Sequence, residues 1–191
     1  DKEQETSNLQ LESIIDGQNE RGIPVVKFVE DITSFSKSFD PPASAELLIG
    51  AYSDLFAKFK SYESSLNQKR LNFIEKIPEI EKSLDMVKKL KSHDEDEPLT
   101  TRYSLADAVY GKAEIDTSIR KVNLWLGANV MLEYTYEEAI DLLESKLKLV
   151  KKDLEEATTD LSFTRNQIIT AEVNISRIYN WDIRRKREQK Q

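Results

Sequence analysis

The chain has 191 residues, with 28 Lys and Arg against 35 Asp and Glu, a net charge of −7, one histidine and no cysteine. It is 33% charged and 39% hydrophobic with only five Gly and five Pro, a profile of helix-rich or coiled-coil proteins rather than compact α/β enzymes. The acidic balance speaks against general affinity for nucleic acid, and the lack of cysteine excludes disulfides, thiolate metal sites and cysteine nucleophiles.

Residues 1–21 are polar and read as a disordered N-terminus without the basic-then-apolar order of a signal peptide. An apolar extension, 22–42, follows with "GIPVVKFVEDITSF" and closes at Pro41-Pro42. The first long helix is expected over 43–92. Tyr52, Phe59, Leu66, Phe73, Ile80 and Val87 recur every seven residues, with companions Leu55 and Tyr62 three residues later and Ile77 and Leu84 four later. The stripe thus changes phase between Lys69 and Ile77, just before Pro78. Proline lacks an amide donor and crowds the carbonyl four residues back, so a bend rather than a break is expected there.

The stretch 98–134 loses the seven-residue rhythm and alternates, as two β-hairpins would. In the second, a three-residue loop Gly127-Ala128-Asn129 would pair Leu126 with Val130, Leu124 with Leu132 and Val122 with Tyr134 on one apolar face. A two-residue Gly-Ala turn would instead set Val122 against Glu133. "LADAV" at 105–109 repeats the pattern of "LGANV" at 126–130, placing a first hairpin from about Thr100 to Ile115 with Asp107 at its tip. Two such hairpins leave open edges and exposed apolar surface, which other subunits would complete into a barrel.

The second helix is expected over 135–187, opened by a capping box of Thr135 with Glu138. Ile140, Leu147, Leu154, Leu161, Ile168 and Ile175 hold one heptad position; Leu143, Val150, Ala157, Thr164, Ala171 and Ile178 hold the other. A short basic tail, 188–191, remains. Each helix would be about 75 Å long at 1.5 Å per residue. Equal lengths suggest an antiparallel coiled coil within one chain, although heptads alone leave a parallel homodimer acting as a scaffold or tether open. The fold class is mainly α with a small β insert.

Four stretches, "GIPVVKFVED" (22–31), "KIPEIEKSL" (76–84), "LWLGANVMLEY" (124–134) and "VNISRIYNWD" (173–182), resemble α-class subunits of the prefoldin family over about residues 21–187. What the resemblance implies is a hetero-hexamer of two α-class and four β-class subunits joined through a double β-barrel. Such complexes take unfolded actin and tubulin and pass them to the cytosolic chaperonin without ATP, with client contact towards the distal coil tips. Leu47, Ile49 and Phe56 at the start of the first helix and Tyr179, Trp181 and Ile183 at the end of the second fall beside the heptad seam, and are the client-binding candidates. Packing against "VVKFV", or extension of the local seam, is their structural alternative. Assembly would fall to Leu105, Val109, Val122, Leu124, Leu126, Val130, Leu132 and Tyr134.

No catalytic, cofactor or metal site is expected. His93 sits in an acidic run, His93-Asp94-Glu95-Asp96-Glu97, that reads as a solvated helix exit. "RRKR" at 184–187 suits a helix C-terminus electrostatically, with chaperonin contact or nuclear import as further readings and a nucleic-acid partner disfavoured. No apolar run approaches the ~18 residues that span a bilayer, so the expected location is cytoplasmic, and also nuclear if the basic run is an import signal. The sequon Asn174-Ile175-Ser176 is then idle.

Overall fold

The structure is a computed structural model that describes residues 13–94, 97 and 99–189. Among the described residues these elements follow in chain order: β1 (Ile15–Gln18), β2 (Pro24–Val26), α1 (Ile32–Lys37), α2 (Ala45–Ser92), β3 (Leu99–Ala106), β4 (Val109–Ile115), β5 (Lys121–Gly127), β6 (Val130–Thr135) and α3 (Tyr136–Glu188). The chain divides into two units, one of residues up to Arg70 with those from Glu156 onward, the other Leu71–Glu155.

Both long helices start at side-chain caps. Ser44 Oγ accepts the amide of Leu47 at 3.1 Å. At α3, Thr135 Oγ1 accepts the Glu138 amide at 3.3 Å and Glu138 Oε2 accepts the Thr135 amide at 3.0 Å, the reciprocal box expected from the sequence. Those bonds, the Thr135 amide foremost, hold the Glu138 carboxyl below its ordinary range. The helix α2 runs unbroken through Pro78. The unit boundary at Arg70 and Leu71 falls where the apolar stripe begins to change phase.

In each unit the helices run antiparallel. Lys186 faces Glu46 and Arg165 faces Glu63 in the first; Lys151 faces Glu81, Glu144 faces Lys88 and Glu137 faces Lys91 in the second. Residue numbers rise on one helix as they fall on the other, so both stripes are buried within one chain. Exposed pairs of this kind add little energy each, but they agree on a single register. All twelve heptad positions named for α3 are buried or half-buried.

In the first unit the two helices carry a third layer. Residues 13–43 lie against the coil as a strap. Ile14, Val26, Val29, Ile32 and Ala43 join Leu48, Tyr52, Leu55, Phe59, Ile168, Ala171 and Ile178 in one buried core. This corrects the expectation of a disordered N-terminus where it can be seen. Residues 13–21 carry β1, whose register pairs Ile15 with Val26 and Gln18 with Pro24. Asn19 ties the turn between the strands, its Oδ1 accepting the amides of Arg21 and Ile23 at 3.0 and 2.8 Å. Residues 1–12 lie outside the described residues. At the other end α3 continues to Glu188, into the stretch expected as a tail.

The second unit packs Ile80, Leu84 and Val87 of α2 against Tyr136, Ala139, Leu143 and Val150 of α3. Its hairpins form two separate two-stranded sheets, β3 with β4 and β5 with β6. Val122 pairs with Tyr134 and Leu124 with Leu132, as expected. At the tip Val130 pairs with Gly127 instead of Leu126, and a bulge lies between Trp125 and Gly127. The loop is therefore two residues, Ala128 and Asn129, with φ of +48° and +63°, and Gly127 at +96° supplies a left-handed bulge that a side chain would strain. In the first hairpin Ala106 pairs with Val109, again with a bulge beside the turn that holds Asp107. Both loops are thus one residue shorter than expected, because a bulge absorbs the third.

Candidate functional site

The polar flank of α3 is what positions the strap. Asp160, Gln167, Asn174 and Trp181 are spaced by seven residues and so project from one side of the helix, next to the seam. Asp160 accepts the side chains of Asn19 and Arg21. Gln167 Oε1 accepts the Val26 amide at 2.8 Å. Asn174, fully buried, accepts the Val29 amide at 3.2 Å and donates to the Lys27 carbonyl at 2.8 Å. Trp181 Nε1 donates to Thr33 Oγ1 at 2.9 Å. Between the last two, Arg177 donates to the Glu30 carbonyl at 2.7 Å and lies over the Phe28 ring.

The spacing has a geometric reason. One heptad of helix rises about 10.5 Å, and three extended residues span about 10 Å. Val26 and Val29, three apart, therefore meet Gln167 and Asn174, seven apart, with strap and helix running in the same direction. Tyr52 closes the site from α2, donating to the Lys27 carbonyl at 3.1 Å, and burial pushes its phenol well above the ordinary range. Two of the stretches that carried the family resemblance, 22–31 and 173–182, thus touch each other.

This contact reassigns several client-binding candidates. Ile49, Phe56 and Trp181 pack against the strap-covered core and are only partly exposed, the alternative considered for them above. Ile183 is half-buried. Leu47 and Tyr179 remain open, at 43% and 58% exposure. The basic run is largely engaged near the same end. Arg185 stacks 4.7 Å from the Trp181 ring centre and pairs with Asp182, and Lys186 bridges Asp182 and Glu46. Lys186 chiefly, by its hydrogen bond, holds the Asp182 carboxyl below its ordinary range.

The assembly candidates divide as well. Val122, Leu124 and Tyr134 pack against the coil core of their own unit, so part of the apolar face expected to serve assembly is used within the chain. Leu105, Val109, Leu126, Val130 and Leu132 stay exposed, Leu105 most at 61%. The opposite faces add Tyr110, Trp125 and Met131, and Tyr103, two residues before Leu105, adds a further large exposed side chain to the first hairpin. Gly111 stands opposite Tyr103, whose ring comes within 3.0 Å of where a Cβ would sit, so the ring caps the glycine.

His93 closes a turn, Nε2 donating to the Glu97 carbonyl at 2.8 Å, while Glu95 and Asp96 lie outside the described residues. Among the described residues no group of acidic and histidine side chains could hold a metal ion, and no helix is long and apolar enough to cross a membrane.

The family model for prefoldin subunits matches residues 59–181. The chain belongs to the prefoldin family. Among curated relatives, prefoldin subunit 3 of Elsinoe fawcettii is 40% identical over 91% of this chain and 86% of its own length. Prefoldin subunit 3 of Bos taurus is 42% identical over 86% and 83%, and that of Saccharomyces cerevisiae 37% over 91% and 90%. Among solved structures, a filamentous prefoldin from Methanocaldococcus jannaschii is 22% identical, covering 59% of this chain and 93% of that one, with a TM-score of 0.46. A prefoldin subunit is a chaperone component and not an enzyme.

Proposed function

We propose that this chain is one of two α-class subunits in a prefoldin hexamer with four one-hairpin subunits. Its hairpins complete a shared β-barrel, and the coil end where α2 begins and α3 stops holds unfolded actin- and tubulin-type chains. The complex passes them to the cytosolic chaperonin, in the cytoplasm and without ATP. The observation that carries the assembly part is the state of the hairpins. Each is a two-stranded sheet with open edges, and Leu105, Val109, Leu126, Val130 and Leu132 are exposed on them. Two-stranded sheets of this size are marginal alone, and strands from neighbouring subunits would satisfy edges and apolar faces together.

The client part is supported by Leu47 and Tyr179, apolar side chains open at the coil end. Non-directional burial of such groups suits partners without a fixed structure. The test is capture of denatured actin by the assembled complex carrying Leu47→Ser with Tyr179→Ser. Capture should fall several-fold while the mass of the complex stays the same. Undiminished capture would remove both residues from the client surface.

A further inference from the structure

We propose that the flank of α3 under the strap is a binding groove for extended apolar polypeptide, and that the strap is its resident, displaceable occupant. This rests on the client-holding reading above and gives that reading a second, regulated surface.

The groove holds the strap largely by its main chain. Gln167 and Asn174 take the amides of Val26 and Val29, and Asn174 and Arg177 donate to the carbonyls of Lys27 and Glu30. Every polypeptide presents those groups at the same spacing when extended, so this recognition is independent of sequence. In the extended stretch Val26 and Val29 enter the apolar core, Pro24 is buried, and Ile23 packs against the core from the side. Phe28, between Val26 and Val29, points out and is 45% exposed. The requirement on an occupant is therefore short: an extended segment with apolar residues three apart and no proline at the bonded amides.

Chains that have lost their fold supply such segments. A folded protein does not, because its main-chain groups are already paired.

The strap has features of an occupant that can leave. Its sheet has strands of only four and three residues, and no third strand joins it among the described residues. Around the Trp181–Thr33 bond the strap and the helix border an open groove of about 450 Å³, lined by Glu30–Thr33 of the strap and Arg177, Asn180, Trp181 and Arg184 of the helix. A client segment could start in that opening and replace the strap towards Gln167. Apparent affinity for a client then scales with the fraction of chains whose groove is open.

The experiment uses the full chain assembled with its partner subunits. Val26→Asp with Val29→Asp puts two carboxylates where the strap enters the core and leaves every groove residue untouched. The probe is a fluorescent peptide of residues 22–31, alongside the same peptide N-methylated at the amides of Val26 and Val29. The unmodified peptide should bind the variant at least about tenfold more tightly than the unaltered complex, and N-methylation should abolish the gain. Equal binding to both complexes, or no effect of N-methylation, overturns the proposal.

A second measurement needs no variant. Hydrogen exchange at Val26 and Val29 should accelerate when the unaltered complex is saturated with denatured actin. Capture with unchanged exchange overturns the groove while leaving client holding intact. Failure to capture at all overturns the client-holding reading itself.

Discussion

Asn174→Leu removes a fully buried side chain that bonds the strap's main chain at two points, and its cost can be worked from the contacts. The Lys27 carbonyl keeps a partner, because Tyr52 also donates to it. The Val29 amide does not, since Asn174 Oδ1 is its acceptor and leucine offers none. An orphaned buried amide costs about 1–3 kcal/mol and a lost net hydrogen bond about 0.5–1.5. Leucine shares asparagine's branched outline but is larger, so no cavity opens and overpacking adds to the cost. The total is about 2–4 kcal/mol against the docked strap, which corresponds to about 30-fold or more in local opening. Hydrogen exchange on the assembled complex reads it directly, as faster exchange of the peptide covering 22–31. Ile169→Ala, on an exposed position of the same helix, should change it little. Exchange that is the same in Asn174→Leu as in the unaltered chain would refute the role given to this side chain.

Thr164 occupies a heptad core position with a fully buried hydroxyl that has no hydrogen-bond partner, so Thr164→Val should raise the unfolding free energy by about 1 kcal/mol, seen as a higher urea midpoint, and a fall would show that the hydroxyl is bonded. Leu132→Asp places a charge on the exposed part of the β5–β6 face and should block assembly, by native mass, while leaving helix content by circular dichroism unchanged. Acid should loosen the coil before it melts elsewhere. Glu63 beside Arg165, Glu137 beside Lys91 and Asp182 beside Lys186 have folded pKa values below their ordinary range. Their stabilisation is present above the unfolded pKa of about 4 and is lost as pH falls through the lower folded value. Thermal melts should therefore be flat from pH 7 to 5 and decline below about 4; a decline already complete at pH 5 would contradict that sign.

What was legible in the sequence was local. Heptads at Tyr52 to Val87 and Ile140 to Ile178 repeat a pattern whose period is set by helix geometry, and the alternation from Val122 to Tyr134 selects its own register. The bulges at the two turns were missed because one extra residue shifts a tip without disturbing the pairs behind it. Docking of the strap was left as one of two readings for a different reason. Its bonds to α3 join residues 139 to 148 apart in the chain, and no periodicity within 13–43 reports a partner so distant. A signal was nonetheless present. Asp160, Gln167 and Asn174 are polar residues seven apart immediately beside an apolar seam, and three buried polar positions in step call for bonding partners. Heptad counting treated the coil as two-layered, which is why Ile49, Phe56 and Trp181 looked free. With a third layer over one flank, they pack against the strap-covered core and are partly exposed.

The most direct test of the whole account is the native mass of the full chain mixed with one-hairpin prefoldin subunits and a second two-hairpin subunit. The account predicts a single hexamer holding one copy of this chain, one of the other two-hairpin subunit and four one-hairpin subunits. A stable homodimer of this chain that ignores those partners would contradict it.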